Sequence, residues 1–168
     1  MPSVDLMRFD DARVAAAWEP VDDRVMGGVS RSRVRHDPAG HAVFEGLLSL
    51  DRGGGFASVR APVAMPTAIG AIHAFALVVR GDGRRYKLNL RTGGRFDDVN
   101  YQAAFTPATD QWSEVRLPTA AFAPTFRGRT VAAPPLDPAA VSTLGLMVAD
   151  RQQGAFALAL RRIACEVG

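Results

Sequence analysis

The sequence predicts an all-β protein, a β-sandwich of jelly-roll type with about nine or ten short strands. Apolar and polar residues alternate in short runs, which is the pattern of a strand with one buried face. The 16 Gly and 11 Pro residues are scattered along the chain, and this is typical of many short elements joined by turns. The 168 residues are enough to bury a core, so we expect one β-sandwich domain over residues 1–168.

The predicted strands are short segments with either an alternating pattern or an apolar, β-rich composition. They cover residues 6–9, 30–36, 41–50, 56–61, 72–79, 85–91, 99–106, 112–117, 144–149 and 155–167. The alternation is clearest in residues 85–91, where Tyr86, Leu88 and Leu90 alternate with polar residues. We expect these three side chains to face the core.

The connections include two predicted hairpins and one short helix. Asp10 and Asp11 are suited to cap a helix over residues 12–18. A turn at residues 37–40 joins two alternating strands into a hairpin. Asp82-Gly83 is the strongest hairpin signal in the sequence, and it predicts that the strands on either side of it pair with each other.

The Pro-rich stretch at residues 119–138 is predicted to be a long loop. It carries Phe122 and Phe126, which are large apolar side chains in an otherwise polar or small-residue segment. We expect both rings to attach the loop to the core.

The charge distribution argues against several classes of partner. The net charge is +3 and the isoelectric point is about 9.7, but the arginines are interleaved with Asp and Glu instead of clustering in one stripe. We therefore expect no nucleic-acid binding. No apolar run approaches the length of a membrane span, and the N-terminus lacks the pattern of a targeting segment, so we expect a cytoplasmic protein with no membrane insertion. Cys165 has no second cysteine to pair with and is expected to be a buried thiol.

The densest group of chemically distinctive residues is the segment 22–30, which we call the elbow. Its paired glycines allow a tight turn and the close approach of another segment. We expect a carboxylate of this segment to pair with an arginine of the sheet, and Met26 to offer an adaptable apolar contact. A tight turn held by a surface ion pair is the alternative. The candidate binding residues here are Asp22, Asp23, Arg24, Met26, Gly27, Gly28 and Ser30.

A second candidate surface is the polar face of the middle strands. If the apolar residues point inward, the polar residues of neighbouring strands share the opposite face. Amides and guanidiniums on a sheet can hydrogen-bond a sugar or the backbone of a partner. An ordinary solvated sheet face is the alternative. The residues in question are Lys87, Asn89, Arg91, Asn100 and Gln102, with Ser58 and Arg60 close by.

The sequence contains no pattern that indicates a metal site or a catalytic site. Asp22, Asp23, Asp97 and Asp98 are candidate oxygen ligands for Ca²⁺, but they do not have the spacing of a calcium loop. His36, His41 and His73 lack metal-ligand spacing, and His36 and His41 are expected to be exposed beside a turn. No G-x-S-x-G motif is present, and no pair of carboxylates stands out for glycoside hydrolysis. We therefore expect no metal, no cofactor and no enzymatic activity.

A series of short motifs, in order along nearly the whole chain, resembles the complex I intermediate-associated protein 30 family. The motifs are Trp18, the run from Asp22 to Ser30, Phe44-Glu45-Gly46, Gly54-Gly55-Phe56-Ala57-Ser58-Val59-Arg60, Arg80-Gly81-Asp82-Gly83-Arg84 with Tyr86, Asn100-Tyr101 with Phe105, Trp112 with Leu117-Pro118, Phe122, Phe126-Arg127-Gly128, Gly145-Leu146 and Gly154-Ala155-Phe156. The resemblance implies a galactose-binding-like β-sandwich. It also implies a non-catalytic assembly factor for NADH:ubiquinone oxidoreductase that holds membrane-arm intermediates, whereas relatives of the fold often bind carbohydrate.

Two functions follow as expectations. The first is a chaperone-like binding module that takes a protein partner, with respiratory-complex subunits as candidates. Its surface would be the elbow, with further anchors at Arg60, Arg80, Asp82, Arg84 and Arg91. The alternative is a carbohydrate- or small-ligand-binding module that uses the polar sheet face, including Asn100, with a Trp or Tyr ring stacked on the ligand. Tyr101 is a further candidate binding residue.

Overall fold

Two antiparallel sheets face each other in the computed structural model, which describes residues 2–67, 70–93 and 99–168. Within these residues there are thirteen strands and one α-helix. In chain order they are β1 (Ser3–Arg8), α1 (Ala12–Ala16), β2 (Glu19–Pro20), β3 (Arg31–Asp37), β4 (His41–Leu48), β5 (Ala57–Pro62), β6 (Ile72–Arg80), β7 (Tyr86–Arg91), β8 (Asn100–Phe105), β9 (Trp112–Pro118), β10 (Ala123–Phe126), β11 (Arg129–Thr130), β12 (Thr143–Val148) and β13 (Gly154–Val167). The predicted β-sandwich is confirmed.

The first sheet has the strand order β3-β4-β13-β6-β9, and β1 pairs with the far half of β13. The second sheet has seven strands in the order β11-β10-β8-β7-β12-β5-β2. Successive strands often belong to different sheets; for example, β5 and β7 lie in the second sheet and β6 lies in the first. The chain therefore passes repeatedly between the two layers. No helix in the described part of the chain is both long enough and apolar enough to cross a membrane.

The core lies between the sheets and is built from the inward-facing residues that the alternation predicts. Tyr86, Leu88 and Leu90 of β7 are fully buried, while the residues between them are partly exposed. Phe44 of β4 reaches across to Tyr86, with ring centroids 6.1 Å apart. Burying such side chains removes apolar surface from water, which is the main favourable contribution to folding. Cys165 is a buried free thiol, as expected.

The Pro-rich stretch contains more structure than a loop. β10 and β11 lie within it and extend the seven-stranded sheet beyond β8. These two strands and the two-residue β2 are the three strands that the ten predicted ranges did not include. Phe122 is buried, with its ring 5.8 Å from that of Phe75, but Phe126 is 38% exposed. Only one of the two rings therefore attaches this segment to the core.

The hairpin predicted at Asp82-Gly83 is wrong, because β6 and β7 belong to different sheets. The turn is a corner between the layers, and the Asp82 carboxylate holds it together. That carboxylate accepts hydrogen bonds from the Arg84 backbone N–H (3.1 Å), the Tyr86 hydroxyl (3.0 Å) and the Ala157 N–H (2.9 Å). A tight-turn motif predicts that the chain changes direction, but it does not predict to which sheet the next strand belongs.

His41 is buried, contrary to the expectation that it is exposed beside a turn. Its ring meets Trp112 edge to face, with the ring centroids 5.2 Å apart. The pKa of His41 lies below its usual value, chiefly because of burial and also because Arg80 and Arg161 are close. The predicted hairpin of β3 and β4, in which His41 is the first residue of the second strand, is confirmed.

Candidate functional site

The elbow begins with a single 3₁₀ turn over Asp23–Met26 and reverses at its two glycines. Gly27 has a φ of 85°, a left-handed conformation that glycine adopts without strain. Its N–H donates to the Arg24 carbonyl at 2.9 Å, and the Gly28 N–H donates to the Asp23 carbonyl at 3.0 Å. The turn is therefore closed by its own backbone before the chain enters β3.

The Asp23 carboxylate is completely buried at the centre of the elbow. It accepts hydrogen bonds from the Ser30 hydroxyl at 2.7 Å and the Ser30 N–H at 3.0 Å. It also accepts from the backbone N–H groups of Gly55 (2.8 Å) and Phe56 (3.4 Å), which precede β5. One carboxylate thus ties the elbow to a segment more than thirty residues later in the chain.

Glycines make room for this carboxylate. A Cβ atom on Gly28 would lie 2.4 Å from the Asp23 Cγ, and one on Gly54 would lie 2.5 Å from the Asp23 Oδ2. Both distances are far below van der Waals contact, so neither position accepts a side chain without movement. Gly28 of the elbow and Gly54 of the glycine run at residues 53–55 therefore pack against the same buried carboxylate.

The neighbouring Asp22 is only partly buried and binds a different part of the chain. It accepts hydrogen bonds from the Ser32 hydroxyl at 2.6 Å and the Ser58 N–H at 2.9 Å. Burial raises the pKa of Asp22 above its usual value despite these bonds. Burial acts in the same direction on Asp23, but its hydrogen bonds from Ser30 and the backbone outweigh burial and lower its pKa.

The expected pairing of an elbow carboxylate with an arginine is wrong. Among the described residues, Asp22 and Asp23 are held by hydroxyls and backbone N–H groups, and neither forms an ion pair. The sequence interpretation missed the groups that do hold these carboxylates, although the second glycine run was a signal for a close approach of backbone.

Exposed side chains surround the buried carboxylate, and we call Arg24, Met26 and Val29 the elbow rim. Arg24 is exposed, Met26 is 65% exposed and Val29 is 39% exposed. Leu47 is 41% exposed and pairs with Arg31, two residues after Val29. Three of the four large, well-exposed apolar side chains in the described residues thus lie on or next to the elbow.

The predicted polar face exists on the outer side of the seven-stranded sheet. The register places Asn89 opposite Gln102 on one side and Gly145 on the other, and Gly145 opposite Arg60. The Gln102 Nε2 donates to the Asn89 Oδ1 at 2.8 Å. Gly145 lies between Asn89 and Arg60 and is itself buried, because the Asn89 side chain packs over it: a Cβ on Gly145 would lie 3.2 Å from the Asn89 Cβ. Lys87, Arg91 and Asn100 lie on the same face by alternation.

Tyr101 lies on the opposite, inward side of β8. It is 7% exposed, and its hydroxyl donates to the Pro134 carbonyl at 2.8 Å. Tyr86 and Phe105, the other aromatic residues of β7 and β8, are also buried. A ring of these two strands therefore does not stack on a ligand at the polar face.

The remaining predicted anchors do not share one surface with the elbow. Arg60 lies on the polar face, and its strand β5 borders the elbow through the Asp22–Ser58 hydrogen bond. Arg80 lies on the outer side of the six-stranded sheet, stacked on Trp112. Asp82 and Arg84 belong to the corner between the sheets, where the Arg84 Nη2 donates to the Gln153 carbonyl at 3.2 Å.

The described residues contain no group of three or more His, Cys, Asp or Glu side chains placed to hold a metal ion. The candidate Ca²⁺ ligands Asp22 and Asp23 are instead surrounded by hydrogen-bond donors. Asp97 and Asp98, the other two candidates, lie outside the described residues.

Comparison with known proteins identifies both a family and a set of structural relatives. The model of the family described as complex I intermediate-associated protein 30 matches residues 7–160. A search of curated proteins gives no match. Among solved structures, the chain is similar to a family 11 carbohydrate-binding module from Clostridium thermocellum in complex with a β-1,3-1,4-mixed-linked tetrasaccharide. The TM-score is 0.67 at 12% identity, over 99% of this chain and 96% of that one.

Two further structural relatives have the same type of fold. An agarase, AgWH50C, matches with a TM-score of 0.67 and 10% identity over all of this chain and 25% of its own. A variant of a family 29 carbohydrate-binding module matches with a TM-score of 0.55 and 7% identity, over 100% of this chain and 94% of that one. At such low identity the likeness establishes the fold, a galactose-binding-like β-sandwich.

Proposed function

Because the chain belongs to the complex I intermediate-associated protein 30 family, we propose that it is a non-catalytic assembly factor that binds a protein partner. The proposed partner is a membrane-arm intermediate of NADH:ubiquinone oxidoreductase, which the chain holds from the cytoplasm as a single domain. The elbow rim is the proposed contact surface. The observation that carries this choice is an exposed Met26 on a turn that a fully buried carboxylate holds in place.

The physical argument is one of preorganisation. The backbone of a fixed turn loses little freedom on binding, so more of the contact energy of its side chains appears as affinity. Methionine is unbranched and polarisable, and it adapts to irregular apolar surfaces. Arg24 and Val29 flank Met26 in the sequence and are exposed, which gives the contact an apolar centre with a cation beside it.

We expect Met26→Ser to weaken partner binding at least about tenfold while leaving the melting temperature within about 2 °C of wild type. The side chain is exposed, so its loss removes a contact without opening a cavity. The measurement is co-purification of complex I membrane-arm subunits with the tagged chain from detergent-solubilised membranes of its own cell. Phe126→Ser is the matched control, because it removes another exposed apolar side chain from a different part of the surface.

The proposed function is wrong if the wild-type chain retains no membrane-arm subunit and its deletion leaves complex I assembly unchanged on native gels. The elbow rim is the wrong surface if Met26→Ser and Phe126→Ser retain the subunits equally. The melting temperature of each variant is measured as well, so that a loss of binding is not confused with unfolding.

A second candidate function, carbohydrate binding, is supported by the row of polar side chains on the outer face of the seven-stranded sheet. Asn89, Gln102 and Arg60 carry amide and guanidinium groups on this face, and such groups are suited to bind sugar hydroxyls. Similarity to carbohydrate-binding modules fits this alternative. Titration with a mixed-linked β-glucan tetrasaccharide would support it through saturable NMR shifts at Asn89 and Gln102, and an absence of shifts at high sugar concentration would oppose it.

A further inference from the structure

Two arginines stack on one tryptophan on the outer side of the six-stranded sheet. The Arg161 Cζ lies 4.0 Å and the Arg80 Cζ 5.0 Å from the centroid of the Trp112 ring. His41 packs against the same ring. We call these four residues the Trp112 cluster. It lies on the opposite sheet from the polar face and is separate from the elbow rim.

A β-bulge in β13 brings Arg161 to this surface. The pairing of β13 with β6 shifts register between Leu160 and Arg162, so Arg161 is the extra residue. Leu160 and Ile163 on either side are both fully buried. Without the extra residue, strict alternation would place either Arg161 or Arg162 in the core. The bulge therefore directs the guanidiniums of both Arg161 and Arg162 outward, which is a known use of bulges.

The two stacked guanidiniums lack carboxylate partners. In the described part of the chain, Arg80 and Arg161 make neither an ion pair nor a hydrogen bond through their side chains. Other arginines of this outer face are neutralised, as shown by the Arg35–Glu45, Arg162–Asp5 and Arg116–Glu166 ion pairs at 3.0, 3.0 and 2.6 Å.

The nearby carboxylates do not balance these two charges. Asp37, which faces His41 at 3.9 Å, is engaged by Arg35 at 3.2 Å. Glu114 follows Trp112 on the same face of β9 and makes no ion pair with the cluster. In the described part of the chain, the cluster therefore holds two guanidiniums on one aromatic ring with no carboxylate within ion-pair distance of either.

A cleft of about 250 Å³ adjoins the cluster and shares Arg161 with it. Its lining consists of Asp5, Arg8, Asp10, Gly40, Val78, Arg161 and Arg162. Asp5 pairs with Arg162, and Asp10 lies 3.5 Å from Arg8, so the carboxylates of the cleft are already engaged. The cleft offers room for the remainder of a ligand whose anionic group binds Arg80 and Arg161.

We propose that the Trp112 cluster binds a phosphate monoester group. A guanidinium stacked on a ring keeps its N–H edges free for hydrogen bonding, and its planar fork matches phosphate oxygens. A carboxylate has two oxygens, which one fork can occupy, whereas a phosphate monoester has three terminal oxygens for two forks. Its charge of about −1.5 to −2 at neutral pH also balances two guanidiniums. The group can belong to a soluble phosphorylated compound or to a lipid headgroup such as phosphatidic acid.

Indole NMR signals provide a direct test, because the chain has two tryptophans and Trp18 is buried elsewhere. Inorganic phosphate is titrated into the full chain at constant ionic strength, with potassium chloride as the comparison. We expect a saturable shift of the Trp112 indole signal and of the His41 ring signals, while the Trp18 signal stays in place. Arg80→Gln and Arg161→Gln should each weaken binding at least about tenfold.

Arg127→Gln is the matched control, since Arg127 stacks on Phe126 at 5.4 Å and its loss changes the net charge equally. The proposal is wrong if Trp112 does not shift, if chloride produces the same shift, or if all three variants weaken binding equally. Vesicles of phosphatidylcholine with an equal part of phosphatidic acid distinguish the source. Vesicle binding that is lost in the Arg80 and Arg161 variants would indicate that the ligand is a lipid headgroup. Binding of inorganic phosphate without binding of the vesicles would indicate a soluble phosphorylated compound.

Discussion

Asp23→Ala is expected to lower the free energy of unfolding by about 3–5 kcal/mol. The substitution leaves the N–H groups of Ser30 and Gly55 without their acceptor, whereas the Ser30 hydroxyl still has the Ser49 carbonyl at 3.2 Å. Each buried donor without a partner costs roughly 1–3 kcal/mol, and these losses add incompletely because the groups are neighbours. Urea denaturation at neutral pH measures the change through the shift of the midpoint.

Asp10→Ala is the control for this experiment, because Asp10 is a well-exposed carboxylate in a surface ion pair with Arg8. Its removal should change the free energy of unfolding by less than about 1 kcal/mol. Equal effects of the two substitutions would show that Asp23 is not a buried clamp.

The effect of Asp23→Ala should also depend on pH. The pKa of Asp23 is lower in the folded chain than its usual value, so its stabilisation is present above that usual value, about pH 4. It is lost as the pH falls through the folded-state pKa, where the carboxylate becomes protonated. The difference between wild type and variant should therefore shrink in acid.

Gly54→Ala is expected to lower the free energy of unfolding by about 2–3 kcal/mol. The added Cβ would lie 2.5 Å from the Asp23 Oδ2, 2.8 Å from the Ser49 carbonyl oxygen and 3.1 Å from the Asp51 carbonyl oxygen. One of these groups is buried and two belong to the backbone, so none moves at low cost. The change is measured by urea denaturation.

The adjacent Gly55→Ala provides a matched control with the same chemical change. A Cβ on Gly55 meets nothing within 4 Å, and the residue is not in the left-handed region. Its N–H, which donates to Asp23, is retained in alanine. We expect this variant to be neutral or stabilised by up to about 1 kcal/mol, because alanine reduces the freedom of the unfolded chain. A larger loss for Gly55→Ala than for Gly54→Ala would contradict the packing described for this segment.

The sequence was sufficient to predict the sandwich and the polar face, and it drew attention to the elbow, whose role as a binding surface stays a prediction. Each depends on local patterns: alternation in β7, amides at matching positions in β7 and β8, and paired glycines beside two carboxylates. It did not predict what holds the carboxylates. Gly55 and Phe56 reach Asp23 only because β5 returns beside β3, and that long-range approach has no local signature.

Long-range pairing also explains the other differences. Asp82-Gly83 turns the chain in the predicted place, but the sheet that receives β7 is decided by its contacts with β8 and β12. Residue Arg161 reaches the surface through a register shift of β13 that alternation alone does not reveal. Its stacking on Trp112 therefore became visible only with the strands in place.

Amide hydrogen exchange at Ser30 and Gly55 tests most directly whether Asp23 clamps the elbow onto the sandwich. Both N–H groups lie outside the strands and donate to the Asp23 carboxylate. We predict that they exchange as slowly as the amides of the central strands β7 and β12, because their exchange requires the same large-scale opening. Exchange as fast as that of an unprotected loop amide would contradict the account.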